Sequence, residues 1–181
     1  MRILGVDPGS ECTGYGCIDT DGNGHRVVVC GVLTPPRSAG FPEKLLLIHR
    51  GLVKVLKQCC PEAVAIEDIF YSRNVRSALK LGHVRGVLIL AASEAGIPVC
   101  EYSPTEIKSA VVGYGRAGKQ QVQQMVTLLL GLDTVPSPLD VSDALATAIC
   151  HSHSLGPTND SSTNRRSKSW RRFRQGAKGI S

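Results

Sequence analysis

The sequence predicts an α/β domain built on a mixed five-stranded sheet with helices on its faces. Three strand-like segments come first, and the turn Asp21-Gly22-Asn23-Gly24 joins the second and third of them as a hairpin. Two further strand segments each follow a helix, which is the order that parallel strands with crossover connections require. The length of 181 residues, of which 42% are hydrophobic, suits one such domain.

The amino-terminal half of the chain is predicted to form three strands and one helix. A run of apolar residues that ends on a carboxylate predicts the first strand, and segments rich in β-branched residues predict the next two. The loop 34–40 contains Pro35-Pro36, and the residues after it have the hydrophobic period of a helix. These four elements are Arg2–Asp7, Thr13–Thr20, Arg26–Leu33 and Pro42–Gln58.

The second half is predicted to alternate strands with helices and to end in three helices. The short apolar segment Ala63–Glu67 predicts a strand that again ends in an acid. Gly113-Tyr114-Gly115 and Val135-Pro136-Ser137 separate the last three helices. We expect Ser137 to be the N-cap of the last helix and Pro138 its first residue. The other elements are Asn74–Glu94, Ile97–Tyr102, Pro104–Val112, Lys119–Leu130 and Pro138–His151.

The sequence does not predict a membrane protein or a secreted protein. Its longest apolar runs, Leu45–Ile48 and Val87–Ala92, are far shorter than the ~20 residues of a membrane helix. Gly5 and Asp7 interrupt the amino terminus before a signal-like stretch can form. The seven cysteines show no Cys-x-x-Cys spacing, which favours free thiols over a disulfide framework or a zinc site. We therefore expect a protein of the reducing cytoplasm.

The positive charge of the chain is concentrated at its carboxyl end. Seven of the 21 basic residues and one of the 15 acidic residues lie in 157–181, which leaves 14 of each in 1–156. Beyond Gly156-Pro157 the hydrophobic period ends, and the composition is typical of disorder. We expect a folded domain of residues 1–156 and a flexible basic tail that adds sequence-independent affinity for DNA. An inert solubilising extension is the alternative.

Four acidic residues are predicted to meet at one edge of the sheet. Asp7 and Glu67 end apolar strands, and strand ends are where α/β proteins place their sites. Asp140 and Asp143 lie three residues apart in the first turn of the last helix, so both face the same way. Two charges ~4 Å apart repel by on the order of 4 kcal/mol at an effective dielectric of ~20. Divalent cations would neutralise this repulsion, and hard oxygen ligands favour Mg²⁺ or Mn²⁺.

Most of these acids also have a simpler explanation. Acids in the first turn of a helix are favoured by the helix dipole alone, and Asp7 in Asp-Pro-Gly-Ser can simply begin a turn. Glu67 is harder to explain in this way, because acids are rarely buried without a partner. The metal-site prediction therefore depends on the set of four and not on any one member.

Aromatic and basic residues next to Glu67 predict a surface for nucleic acid. Phe70-Tyr71 supplies two of the six aromatic residues in 1–156, and aromatic rings stack on unpaired bases. The long helix that follows carries a basic stripe at i, i+3 and i+7, which suits contacts to phosphates. The members of this stripe are Arg73, Arg76 and Lys80. The alternative is that these side chains are merely solvated.

Two glycines one turn apart in the same helix need an explanation of their own. Gly82 and Gly86 each cost the helix roughly 1 kcal/mol relative to alanine, and they allow another backbone to approach closely. The helix either packs through them on its own sheet or forms a twofold dimer, which would supply two equivalent sites.

Several groups of residues occur in a fixed order between residue 3 and about residue 150. They are Leu4-Gly5-Val6-Asp7-Pro8-Gly9-Ser10 with Thr13-Gly14-Tyr15-Gly16, Ala65-Ile66-Glu67 with Phe70, Ser77-Ala78-Leu79-Lys80-Leu81-Gly82 with Arg85-Gly86, Val111-Val112-Gly113 with Gly118-Lys119, and Asp140-x-x-Asp143-Ala144-Leu145-Ala146. Together they resemble the RuvC family of bacterial Holliday-junction resolvases. The resemblance implies a ribonuclease-H-like fold, a homodimer and Mg²⁺-dependent cutting of four-way DNA junctions in recombination and repair. It also implies a branch-migration helicase complex of the RuvA and RuvB type as a partner.

The resemblance also assigns roles to single residues. The catalytic, metal-binding acids of the family match Asp7, Glu67, Asp140 and Asp143. The stacking aromatic matches Phe70, and two phosphate-contacting lysines match Lys108 and Lys119. Two ions about 3.5–4 Å apart, Mg²⁺ with Mn²⁺ as a substitute, would activate water and stabilise the departing 3′ oxygen. Lys119 would add positive charge at the phosphate; a solvated surface lysine is the alternative.

Two other functions compete with this one. The pattern Asp7-x-Gly9-Ser10-x-x-Thr13 also resembles the first phosphate loop of actin-like ATPases and sugar kinases, but those proteins need a second, duplicated domain that 156 residues cannot supply. A junction-binding module without catalysis is the second alternative. The four acids with Lys119 count against it, because unneeded carboxylates would only repel one another.

Overall fold

The computed structural model describes residues 1–21, 24–68 and 74–155 of the chain. The predictions made for the hairpin turn, for Phe70 and Arg73, and for the basic tail fall wholly or partly outside these residues. The strands are β1 (Arg2–Asp7), β2 (Thr13–Thr20), β3 (His25–Leu33), β4 (Ala63–Glu67) and β5 (Val99–Tyr102). The helices are α1 (Phe41–Cys59), α2 (Val75–Glu94), α3 (Pro104–Val112), α4 (Lys119–Leu129) and α5 (Leu139–Ser154).

The predicted mixed sheet with flanking helices is confirmed, and three elements begin later than predicted: α2 at Val75, β5 at Val99 and α5 at Leu139. Pro138 has an extended backbone, with φ −66° and ψ 177°, and is itself the N-cap of α5. The expectation of Ser137 as N-cap with Pro138 as the first helical residue is therefore wrong. Strand β5 begins at Val99 and not at Ile97; Pro98, which lies between them, has no N–H to donate to a ladder.

The sheet has the strand order β3-β2-β1-β4-β5. Strands β1, β2 and β3 are antiparallel neighbours, whereas β4 runs parallel to β1 and β5 runs parallel to β4. Val6 is opposite Ile66, and Glu67 is opposite Tyr102. The carboxyl ends of β1, β4 and β5 therefore lie at one edge of the sheet, which is the edge where Asp7 ends β1.

Two hydrophobic cores cover the two faces of the sheet. Successive residues of each strand contribute their side chains to one core and then to the other. Leu4 and Val64 pack against α1 and α2, whereas Ile3 and Ala65 pack against α3, α4 and α5. Successive side chains of a strand point to opposite faces, so residues 3, 5 and 7 share the α5 face. The same alternation places Glu67 on the face of Ala65.

Helix α5 lies in backbone contact with β1 and β2 because Gly5, Gly14 and Gly16 leave room for it. A Cβ added to Gly5 would lie 1.9 Å from the carbonyl oxygen of Ala144, and a Cβ on Gly16 would lie 2.5 Å from the Leu145 side chain. Gly5 and Gly16 are opposite each other in the β1–β2 ladder. No larger residue fits at this crossing, so the glycines fix how close α5 comes to the sheet.

Two findings bear on the expected class of protein. All seven cysteines of the chain are free thiols. Across residues 1–21, 24–68 and 74–155, no helix combines the length and the apolar character needed to cross a bilayer.

Candidate active site

Asp7 and Glu67 lie side by side at the carboxyl edge of the sheet. They are the last residues of the parallel neighbours β1 and β4, and both belong to the α5 face. Each carboxyl group is partly buried there. The structure thus places both acids at strand ends on one edge of the sheet, as the sequence pattern predicts.

Helix α5 brings two further acids to the same edge. Gly14 is opposite Asp7 in the β1–β2 ladder, and a Cβ on Gly14 would lie 2.0 Å from the carbonyl oxygen of Asp140. Asp140 is the second residue of α5. Asp143 is the fifth residue, so its expected place in the first turn is corrected to the second turn, because the helix begins at Leu139.

The four acids act on one another electrostatically. Burial, followed by the charges of Glu67, Asp143 and Asp140, raises the pKa of Asp7 to about 8. Burial and the charge of Asp143 also raise the pKa of Glu67, and a hydrogen bond from Asp7 opposes this shift. At neutral pH the Asp7 carboxyl therefore holds a proton that it shares with Glu67 by hydrogen bonding.

Two lysines face the acids across a cleft between α3, α4 and α5. Lys119 Nζ lies 2.8 Å from Asp143 Oδ2, and this contact raises the pKa of Lys119. The Lys119 side chain remains 56% exposed, so the ammonium also reaches solvent. Lys108 and Glu67 line the same cleft, with Ile107 and Val122 among the apolar residues of its wall. An anion that entered the cleft would meet two ammonium groups next to the carboxylates.

The donor chemistry of this edge fits a hard divalent cation. Its ligands would be carboxylate oxygens, and burial together with the neighbouring acids raises the pKa of Asp7 and of Glu67, so a bound cation would offset the cost of ionising them. Among the described residues, no three His, Cys, Asp or Glu side chains converge on one ion position. In this structure the Asp143 carboxylate is paired with the Lys119 ammonium.

The predicted basic stripe is only partly described. Arg76 and Lys80 are exposed on α2, and the Lys80 ammonium lies 5.7 Å from the centre of the Phe41 ring. This contact is a cation–π interaction, so Lys80 is not simply solvated. Phe70 and Arg73 lie outside the described residues.

The two glycines of α2 do not pack on their own sheet. A Cβ on Gly82 or Gly86 would have no atom of the described residues within 4 Å. Of the two explanations given for this pair, packing on the sheet is therefore wrong.

Sequence reasoning missed residues that shape the site without belonging to the acids. Gly14 and Gly16 are two residues apart on one strand, a spacing that indicates a close backbone approach on one face. Cys12 hydrogen bonds with Asp140, and burial and the Asp140 charge raise the pKa of this thiol. No sequence signal distinguishes Cys12 from the other cysteines.

Comparisons with known proteins agree on one family. The family model described as "Crossover junction endodeoxyribonuclease RuvC" matches residues 3–151. A relative of that name from Trichlorobacter lovleyi is 48% identical over 180 residues, which are 96% of this chain and 99% of the relative. Another, from Chloroflexus aggregans, is 49% identical over 153 residues, which are 84% of this chain and 93% of the relative.

Solved structures give the same result. RuvC of Thermus thermophilus in complex with Holliday junction substrate is 36% identical and superposes with a TM-score of 0.82, over 86% of this chain and 94% of that one. The yeast mitochondrial Holliday junction resolvase Ydc2 is 16% identical with a TM-score of 0.60, over 83% and 77% of the two chains, and it shows the fold alone. The expected ribonuclease-H-like fold is confirmed, and the actin-like ATPase is not favoured. The chain belongs to the RuvC family of crossover junction endodeoxyribonucleases.

Proposed function

We propose that this chain is a structure-specific endonuclease that resolves four-way Holliday junctions by paired, symmetric nicks in recombination and repair. The observation that carries the proposal is the edge where Asp7, Glu67, Asp140 and Asp143 meet. Burial and the neighbouring acids raise the pKa of Asp7 to about 8, so ionising this carboxyl costs stability, and a role in binding cations at a phosphodiester explains why the acids are placed there. The Thermus relative described above was solved with a junction substrate, which supports the choice of DNA structure.

The four acids would act as ligands for two Mg²⁺ ions per subunit, with Mn²⁺ as a substitute. Such ions, when bound, supply water activation and neutralise charge at the scissile phosphate. Asp7 must give up its proton before its carboxylate can serve as a ligand. Lys119 would exchange its contact with Asp143 for one with the phosphate, and Lys108, which lines the same cleft, would hold the same strand.

The DNA surface would extend from this edge along α2. Arg76 and Lys80 are exposed there and would contact phosphates, as would Arg73. Phe70 would stack on a base at the junction, because it follows Glu67 by three residues in the chain. These contacts would supply affinity and strand position, and the acids would supply the chemistry.

A homodimer would form through the exposed face of α2. Val75, Leu79 and Leu90 are 73%, 61% and 52% exposed, which is unusual for large apolar side chains on one helix. With Gly82 and Gly86 they recur at i, i+4, i+7, i+11 and i+15, so they share one face. A twofold axis through this face would provide the two equivalent sites that paired nicks require.

The remaining expectations concern the setting of the enzyme. We expect it to act in the cytoplasm, with a branch-migration helicase complex of the RuvA and RuvB type as its partner. The tail 157–181 would add sequence-independent DNA affinity through its net charge of +6. Truncation after Leu155 is then expected to raise Kd for duplex and junction by similar factors, more at low salt, in titrations at two salt concentrations. An unaltered Kd at low salt would make the tail inert.

The proposal is tested with a synthetic four-way junction and a linear duplex that contains the same arm sequences. With Mg²⁺, the protein should nick the junction at two symmetry-related positions and leave the duplex intact, and Asp7→Asn should abolish the nicks while the junction stays bound. Junction binding by the unmodified chain without cleavage in Mg²⁺ or Mn²⁺ would instead support the inactive binding module. Equal cutting of both DNAs would contradict structure specificity.

A further inference from the structure

Arg85 connects helix α2 to the ends of two strands at the catalytic edge. Its Nη2 atom lies 3.0 Å from Asp68 Oδ1, and the same atom donates a hydrogen bond to Oε1 of Glu101. The Arg85 side chain is 22% exposed, and its Nε atom is buried without a hydrogen-bond partner among the described residues. We refer to these three side chains as the Arg85 bridge.

The Arg85 bridge acts next to Glu67 without touching the acids of the site. Asp68 follows Glu67 directly, and its N–H donates to the carbonyl oxygen of Tyr102 over 2.7 Å. Glu101 precedes Tyr102 on β5, which is the edge strand of the sheet. One guanidinium therefore joins the residue that follows β4 and the second-last residue of β5 to α2, at the point where the ladder between these strands ends.

The charges show what the bridge must hold in place. Asp68 and Glu101 are both acids, and they approach the same nitrogen of Arg85. Without the guanidinium the two carboxylates would repel each other across the β4–β5 ladder, at its last hydrogen bond. If the strand ends separate there, Asp68 moves, and Glu67 moves with it because one peptide bond joins the two residues.

We propose that Arg85 is a positioning residue for resolution: it fixes the ends of β4 and β5 against α2 and so holds the Glu67 carboxylate where it can bind a cation. The inference rests on the proposed function for the role of Glu67, and it adds a residue that the acidic set does not include. Among the residues that the structure describes, the Arg85 guanidinium pairs with Asp68 and Glu101 and with none of the four acids of the site. Its loss should therefore change the chemistry and its metal requirement more than the affinity for DNA.

The test compares Arg85→Gln and Arg85→Lys with Arg26→Gln. Arg26 is a matched control, because its guanidinium also pairs with a carboxylate, that of Asp19, but at the opposite end of the sheet. Each full-length variant is assayed for the rate at saturating junction, for the Mg²⁺ concentration of half-maximal rate, and for Kd of the junction without divalent ion. Amide hydrogen exchange is followed in peptides that cover residues 63–68 and 99–102.

For Arg85→Gln we expect a rate at least tenfold lower, a Mg²⁺ requirement at least threefold higher, and a Kd within twofold of the parent. Exchange should accelerate at residues 63–68 and 99–102 and not in β2. Arg85→Lys should recover part of the rate and of the Mg²⁺ requirement, because its ammonium can still pair with one carboxylate. Arg26→Gln should match the parent in every measurement.

Three results would overturn the proposal. One is an Arg85→Gln variant with the parent's rate and Mg²⁺ requirement, and another is a variant that loses only junction affinity, as a phosphate contact would. The third is unchanged exchange at residues 63–68. If Arg85→Gln does not fold, Glu101→Gln replaces it, with an intermediate rise in the Mg²⁺ requirement expected and an unchanged one contradicting the proposal. If the parent itself cuts no junction, the proposed function fails, and the exchange measurement still decides whether Arg85 holds the strand ends.

Discussion

Two aspartates lie near the two ends of strand β1, and their electrostatic surroundings differ: Asp19 of β2 is opposite Arg2 at the amino end, and Asp7 is the last residue at the carboxyl end. At the amino end, Asp19 accepts hydrogen bonds from Arg2 over 2.8 Å and from Arg26 over 3.3 Å, and Arg2 in particular lowers the pKa of this carboxyl. At the carboxyl end, burial and three neighbouring acids raise the pKa of Asp7 to about 8. The first end satisfies its charges within the fold, and the second does not.

This difference separates residues that stabilise the fold from residues that serve its function. An acid between two guanidinium groups is an arrangement that folding alone favours. Four acids at one edge oppose folding, and such conflicts concentrate at functional sites. The acidic edge and the paired end of the same sheet can therefore be compared by matched substitutions.

The largest expected effect is the contrast between Asp7→Asn and Asp19→Asn. Asp7→Asn should lower junction cleavage at least 1000-fold and stabilise the metal-free protein by about 1–3 kcal/mol at pH 8, because it removes a buried, repelled charge. Asp19→Asn should leave cleavage within twofold and cost less than about 1 kcal/mol. Cleavage rates and urea unfolding check both. Asp7→Asn cutting within tenfold of the parent would show that Asp7 is not a ligand.

A smaller effect is expected where the glycines set the distance of α5. Gly14→Ala should destabilise the protein by about 1–3 kcal/mol and lower cleavage at least tenfold, because the new Cβ pushes Asp140 away from Asp7. Gly24→Ala, near the paired end, has nothing among the described residues within 4 Å and should be neutral. Thermal unfolding and cleavage rates measure both variants. A neutral Gly14→Ala would contradict the close packing of α5.

The pH dependence of stability should also differ between the two ends. Folded Asp7 keeps its proton up to about pH 8, whereas the unfolded chain loses it near 3.8, so stability is lost as pH rises toward 8. Between pH 7 and 8 the metal-free protein should lose about 1 kcal/mol, and Asp7→Asn should lose less. Asp19 changes the stability only at acidic pH: its pKa is lowered in the folded state, so its contribution is lost as the pH falls and the carboxylate is protonated. Urea unfolding at both pH values measures this loss. An equal loss in the free energy of unfolding for the parent and for Asp7→Asn would contradict it.

The smallest expected effect concerns phosphate contacts. Arg76→Ala should raise Kd for the junction about 2–5-fold at low salt and less at high salt, because one phosphate contact is lost. Arg26→Ala removes an exposed arginine from the paired end and should leave Kd unchanged. Salt-dependent titrations measure both. Equal effects of the two substitutions would show that Arg76 contributes only to the overall charge.

The sequence predicted the acidic edge because its signals are local. Asp7 and Glu67 each end an apolar strand, and Asp140 and Asp143 have helical spacing, so each could be placed without the tertiary structure. The strand order and the alternation of side chains then brought them to one edge. The fold class followed from the same periodicities.

The features that the sequence could not predict depend on contacts between distant segments. The role of Gly5 and Gly16 requires knowing that α5 crosses there, and Arg85 meets Asp68 and Glu101 only after α2 has packed on the sheet. The N-cap of α5 was predicted one residue early, because propensity favours Ser137 while the backbone enters the helix only after Pro138.

Proton release on cation binding tests most directly that the acidic edge is a metal site. Calorimetric titration of Mg²⁺ into the protein at pH 7, in two buffers with different ionisation enthalpies, gives the number of protons released per subunit. We expect close to one proton for the parent, from the Asp7 carboxyl, and close to none for Asp7→Asn. Equal heats in both buffers for the parent, or the same proton release from Asp7→Asn, would contradict it.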